Sequence, residues 1–107
     1  MEIKELADKI AKILDDKLGA EIEVIDVSDK TTLAEYFVIC SGTSTTHVKA
    51  LSNEVEYVLK TEYDLYPDHI EGHGSNRWIL LDYKDVVVHI FHPEERENYS
   101  LEKLWMK

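Results

Sequence analysis

Two apolar runs, Trp78-Ile79-Leu80-Leu81 and Val86-Val87-Val88-His89-Ile90-Phe91, flank the polar tetrapeptide Asp82-Tyr83-Lys84-Asp85. Short continuous runs rich in Val and Ile, split by turn-forming residues, form neighbouring antiparallel strands joined by a tight hairpin. With Tyr83 and Lys84 as the turn residues, Asp82 faces Asp85, Leu80 faces Val87 and Trp78 faces His89. Side chains alternate across a strand, so Ile79, Leu81, Val86, Val88 and Ile90 form one uniformly aliphatic face, suited to packing under helices. The opposite face is mixed: an aromatic, two aliphatics, a histidine and two acids.

The rest of the chain supplies what such a hairpin needs to close a core. From Glu2 to Leu18 the residues Ile3, Leu6, Ile10, Ile13 and Leu14 recur at steps of three and four, which predicts an amphipathic helix stopped by Gly19. Ala20 to Val27 reads as a strand, Ser28 to Thr32 as a polar loop and Tyr36 to Ser41 as a second strand. The hydroxyl residues after Gly42 can cap a helix whose buried face carries Val48, Leu51, Val55, Val58 and Leu59, running to about Tyr63. Tyr66 to Glu71 is a weak extended segment, and Pro67 puts it at an edge. A loop from Gly72 to Asn76 leads into the hairpin. Pro93 opens a short helix, and Ser100 caps a last turn through Leu101, Leu104 and Trp105. The order predicts one small α/β domain over residues 1–107, with a mixed five-stranded sheet and flanking helices.

Charge narrows the function. With 22 acidic against 12 basic residues the net charge is −10, and only Arg77 and Arg96 are arginines. Phosphate neutralisation needs Lys and Arg gathered on one face, so direct nucleic-acid binding is not expected. An acidic surface suits a basic protein partner, and equally serves solubility alone. The single Cys40 lies inside an apolar run and reads as a buried structural thiol. The chain opens on a charged amphipathic segment without an apolar signal core, and no run approaches membrane-spanning length, so a cytoplasmic location is expected.

Chemistry-bearing patterns are weak. Ser41-Gly42-Thr43-Ser44-Thr45-Thr46 lies where a helix N-terminus could meet an anion, but it has one glycine and no phosphate-loop lysine. Ser-Gly-Thr-Ser is also similar to the turn of nucleotidyltransferases, whose magnesium needs two carboxylates soon afterwards. No such pair follows: Asp82 and Asp85 lie a long way downstream in the hairpin turn, and a nucleotide-handling enzyme that uses this loop with those two acids is the alternative reading. His47, His69, His73, His89 and His92 lack zinc-ligand spacing, and no nucleophile elbow is present. The sequence therefore predicts no enzyme, no metal and no cofactor. The mixed hairpin face has the make-up of a contact patch, a Trp anchor inside a charged rim. The same pattern also fits a face covered by the C-terminal segment, with Trp105 stacked over it.

At these residues the chain resembles the Iojap family, also called ribosomal silencing factors. The resemblance rests on Ile25-Asp26-Val27, Ala34 through Ile39, Ser41-Gly42-Thr43-Ser44 with His47-Val48, Glu71-Gly72, Arg77 through Tyr83, Asp85 through Phe91, and Arg96 with Tyr99 through Trp105. It implies a nucleotidyltransferase-like fold lacking the catalytic carboxylates, and a role in translation. Family members bind the large ribosomal subunit at ribosomal protein uL14 and block joining of the small subunit; organellar members are linked to large-subunit assembly. Many form homodimers. Carried onto this chain, the resemblance and the acidic Trp-centred face together select Trp78, Leu80, Asp82, Asp85, His89, Glu71 and Tyr99 as partner-binding residues. One position departs from the family. The residue after Tyr83 is usually glycine, and Lys84 would be strained by about 1 kcal/mol in a turn needing positive φ.

Overall fold

The computed structural model describes the backbone of residues 1–99 and the side chains of residues 1–97. The expected Ser100 cap and the positions of Leu101, Leu104 and Trp105 lie outside the described residues. Along the chain run α1 (Ile3–Asp16), β1 (Ala20–Asp26), β2 (Tyr36–Ser41), α2 (Thr45–Tyr63), β3 (His69–Glu71), β4 (Trp78–Asp82), β5 (Val86–Phe91) and α3 (Pro93–Tyr99). The five strands form one sheet in the order β1-β2-β5-β4-β3. Only β2 and β5 pair in parallel; the other neighbours are antiparallel, so the sheet is mixed as expected.

Both long helices lie on one face of the sheet. Ala7, Ile10 and Leu14 of α1 and Val48, Leu51, Val55 and Leu59 of α2 are fully buried there against Val38, Cys40, Ile79, Leu81, Val86, Val88 and Ile90. The aliphatic hairpin face is therefore where the alternation placed it. Val58, expected on the buried side of α2, is only partly buried. α1 ends at Asp16, two residues before the expected Leu18, and Leu18 takes the left-handed conformation at φ 65°. Gly19 serves a different need: a Cβ there would lie 2.5 Å from Cys40 Sγ and 3.0 Å from the Leu14 carbonyl oxygen. α2 is capped by Ser44, whose hydroxyl accepts the His47 N–H at 3.1 Å. It closes with Asp64 left-handed at φ 55°, while the Asp64 and Leu65 N–H groups return to the Lys60 and Leu59 carbonyls. That is the paired C-terminal cap that satisfies a helix's last carbonyls. Of the weak segment from Tyr66, only His69–Glu71 pairs, and it is an edge strand. No described helix is long and apolar enough to cross a membrane.

The hairpin register differs from the expected one. Trp78 pairs with Phe91, Leu80 with His89 and Asp82 with Val87, so the pairings Trp78 with His89, Leu80 with Val87 and Asp82 with Asp85 are not formed. The turn residues are Lys84 and Asp85 rather than Tyr83 and Lys84, since the Tyr83 N–H donates to the Val86 carbonyl at 2.9 Å and extends the ladder. Tyr83 is only 8% exposed, packed with the helix-side core. The turn exchanges the strain of a left-handed residue, about 1–2 kcal/mol, for burial of the Tyr83 ring under the helices, where its hydroxyl has no hydrogen-bond partner among the described residues. Lys84 accordingly takes φ 72°, with its N–H donated to Asp82 Oδ1 at 2.8 Å. Moving a turn by one residue moves the pairing by two, and a two-residue shift keeps every side chain on its face.

Candidate docking surface

The face of the sheet away from α1 and α2 is built in rows. Pairing places Glu23, Ile39, His89, Leu80 and Glu71 side by side across the five strands, and Ile25, Phe37, Val87, Asp82 and His69 in the next row. A third row joins Ser41, Phe91 and Trp78. The centre of this face is a second core: Ile25, Val27, Ala34, Phe37, Ile39 and Phe91 are buried, with Trp78 and Val87 packed against them. Toward the β3 edge it turns polar, since Leu80 and Asp82 are half-buried while His69 and Glu71 are exposed.

Trp78 is half-buried and, among the described residues, is held from two directions. Its ring stacks on Phe91 with centroids 4.8 Å apart and planes 29° apart, and its indole N–H donates to His89 Nδ1 at 3.2 Å. His89 is 4% exposed, with Phe37 edge-on at 4.7 Å. Burial pushes its pKa down to about 4, so the ring is neutral at pH 7. Expected as a contact group, His89 lies beneath the surface and supports Trp78. Glu71 is exposed with His69 Nε2 at 3.5 Å from its carboxylate, and Asp85 is exposed in the turn. Tyr99 is the last residue of α3, and its side chain lies outside the described residues.

Supports of this face went unnoticed in the sequence. Arg77, just before β4, donates to Glu94 and Glu95 of α3 at 3.0 Å each, and these carboxylates hold its guanidinium in the charged form. Arg96, 7% exposed, donates from α3 to Ser41 Oγ at 3.0 Å. Together they fasten α3 to the ends of β4 and β2. The available signal was that the only two arginines of an acidic chain flank the hairpin.

The alternative site does not assemble. Ser41, Phe91 and Trp78 mark one end of the sheet, whereas Asp82 and Asp85 lie toward the other, four strand residues or about 13 Å away. A Cβ on Gly42 would lie 2.8 Å from Val48 N, so α2 fills the space beside the loop. The Thr43 and His47 N–H groups are already donated, to His47 Nδ1 and Ser44 Oγ. Among the described residues no three His, Cys, Asp or Glu side chains gather as a metal site. His73 Nε2 meets Ser52 Oγ at 3.2 Å and Glu56 Oε2 at 3.7 Å, but both use one ring nitrogen and Ser52 is fully buried. A nucleophile relay needs the acid on the other nitrogen and an accessible hydroxyl.

Comparison with known proteins agrees with the resemblance. The family model described as ribosomal silencing factor during starvation matches residues 1–107. Ribosomal silencing factor RsfS of Halalkalibacterium halodurans is 36% identical over 105 residues, covering 98% of this chain and 89% of that protein. Mitochondrial assembly of ribosomal large subunit protein 1 of Mus musculus is 38% identical over 101 residues, covering 92% of this chain and 44% of the mouse protein. A crystal structure of a Chromobacterium violaceum protein superposes with a TM-score of 0.93 at 39% identity, covering 98% of this chain and 87% of that one. The chain belongs to the ribosomal silencing factor family.

Proposed function

We propose that this protein binds the large ribosomal subunit through the Trp78 side of its sheet and, once bound, occupies the space in which the small subunit must land. The carrying observation is a half-buried tryptophan fixed on Phe91 and His89, with carboxylates toward the β3 edge and in the adjoining turn. Aromatic anchors inside a polar rim supply most of the binding energy of protein interfaces. Trp78, Leu80, Asp82, Asp85, Glu71 and Tyr99 form the proposed contact set, and His89 supports it from below. The partner is a basic ribosomal protein, with uL14 the candidate from the family resemblance, and complementary potential would speed the encounter. Inhibition here is steric: the action belongs to a factor in the cytoplasm and not to an enzyme, and it needs no cofactor.

The nucleotidyltransferase-like fold is proposed from the family resemblance alone; the Ser41 to Thr46 loop and the acids Asp82 and Asp85 lie toward opposite ends of the sheet, which speaks against that chemistry here. A role in large-subunit assembly is the second reading, favoured by the name of the mouse relative, and it would use the same face. A homodimer is the proposed unbound form, with the monomer the form that docks, as the family resemblance implies. The test is equilibrium binding to isolated large subunits, comparing the wild type with Trp78→Glu. A folded Trp78→Glu protein should lose binding at least tenfold, which corresponds to roughly 1.4 kcal/mol. Wild-type affinity in that variant would remove Trp78 from the site.

A further inference from the structure

A histidine is a costly choice for the centre of a buried sheet face. His89 is 4% exposed among Phe37, Phe91, Ile39 and Leu80, and its Nε2 has no hydrogen-bond partner among the described residues. A leucine of similar size would fill the place without an unsatisfied polar atom. What a leucine lacks is an acceptor, and His89 Nδ1 receives the Trp78 indole N–H at 3.2 Å. That bond requires a neutral ring protonated at Nε2, which is the nitrogen left without a partner.

We propose that His89 is the positioning residue of the docking surface: its Nδ1 accepts the Trp78 indole N–H and, with Phe91 stacked on the same ring, fixes the orientation in which the tryptophan meets its partner. The proposal rests on the reading of Trp78 as the anchor. The indole has two rotatable bonds, and a ring already held in its bound orientation leaves less entropy to be lost on association. His89 touches no partner itself and acts only through Trp78. The sheet register carries this arrangement: Leu80 pairs with His89 and Trp78 with Phe91, so the indole reaches His89 on the diagonal, within range for a long aromatic side chain.

The test uses the full chain, isolated large subunits, and nitrogen-15 spectra of the indole and imidazole groups. In the wild type the long-range imidazole spectrum should show His89 protonated at Nε2 and bare at Nδ1; the opposite tautomer overturns the proposal, whatever the variants do. His89→Leu should shift the Trp78 indole resonance, speed its exchange with water and weaken large-subunit binding by roughly three- to tenfold, the equivalent of immobilising one side chain. His89→Asn, whose amide oxygen can stand near the place of Nδ1, should recover most of the affinity and the resonance. Trp78→Ala separates the two ideas. If it abolishes binding while a folded His89→Leu binds like the wild type, the positioning proposal falls and the docking reading stands. If Trp78→Ala itself binds like the wild type, the docking reading falls, and this proposal with it.

Discussion

Two glycines in one loop should respond in opposite ways to alanine. Gly72 follows β3 directly with φ +94°, and a Cβ there would collide with the Trp78 carbonyl oxygen and lie 3.1 Å from Ile79 Cα. These are backbone atoms, so no rotamer change relieves the clash; β3 and β4 must part by at least 1 Å before the contact is tolerable. β3 has only three pairs, His69 with Asp82, Ile70 with Leu81 and Glu71 with Leu80, and the nearest of them would open first. The left-handed backbone costs alanine about 1 kcal/mol, and one or two disrupted ladder bonds cost about 1 kcal/mol each. The reduced freedom of the unfolded chain returns about 0.5 kcal/mol. Gly72→Ala should therefore lose about 1.5–2.5 kcal/mol, a fall in Tm of roughly 6–15 °C for a domain near 100 residues. Gly74 has no atom within 4 Å of its would-be Cβ and no left-handed φ, so Gly74→Ala should stay within about 0.5 kcal/mol of the wild type. Urea and thermal unfolding of both variants measure this. If Gly72→Ala unfolds with the wild type, or Gly74→Ala is equally damaged, the described approach of β3 to Trp78 is wrong.

Lys84→Gly should stabilise the hairpin by up to about 1 kcal/mol, because relief of a left-handed lysine at φ 72° exceeds the added freedom of the unfolded glycine; a urea midpoint below that of the wild type would refute it. His89 makes stability depend on pH: its folded pKa of about 4 lies below the ordinary 6.5, so the unfolded chain holds the extra proton between those values. Its contribution is full above pH 6.5 and is lost as pH falls toward 4, amounting to a few kcal/mol. Urea titrations at pH 7.5, 5.5 and 4.5 should show that slope in the wild type and a shallower one in His89→Leu. His47 bridges two helix ends, its Nε2 meeting the Lys17 carbonyl at 3.0 Å and its Nδ1 accepting the Thr43 N–H at 3.0 Å. His47→Ala should cost about 1–3 kcal/mol in equilibrium unfolding, with the Trp78 environment unchanged by fluorescence.

Much of this arrangement was legible in residue periods. The bounds of β2 and β5, the buried stripe of α1 and the division of the hairpin into two faces all follow from apolar spacing, which survives a two-residue error in register. The turn itself did not follow, because Tyr83 is equally plausible as a loop residue or a buried strand end, and only its place under the helices decides. Alternation told which side His89 faces but not how deep it lies; depth depends on Phe37 and Ile39 of β2, brought alongside β5 by a parallel pairing distant in sequence. Arg77 and Arg96 could be seen as unusual but not as ties, since their partners Glu94, Glu95 and Ser41 are fixed by the placement of α3. Gly19 looked like a helix stop, whereas its need is room for Cys40, a strand residue 21 positions away along the chain.

In the function proposed above, this protein keeps ribosomal subunits apart by occupying the large one. Purified large and small subunits, mixed at a magnesium concentration that permits joining and sedimented through a sucrose gradient, test it directly. Added before the small subunit, the protein should travel with the large-subunit peak and deplete the joined-ribosome peak in proportion to its occupancy, and Trp78→Glu should do neither. An undiminished joined peak with the protein left at the top of the gradient would contradict the account.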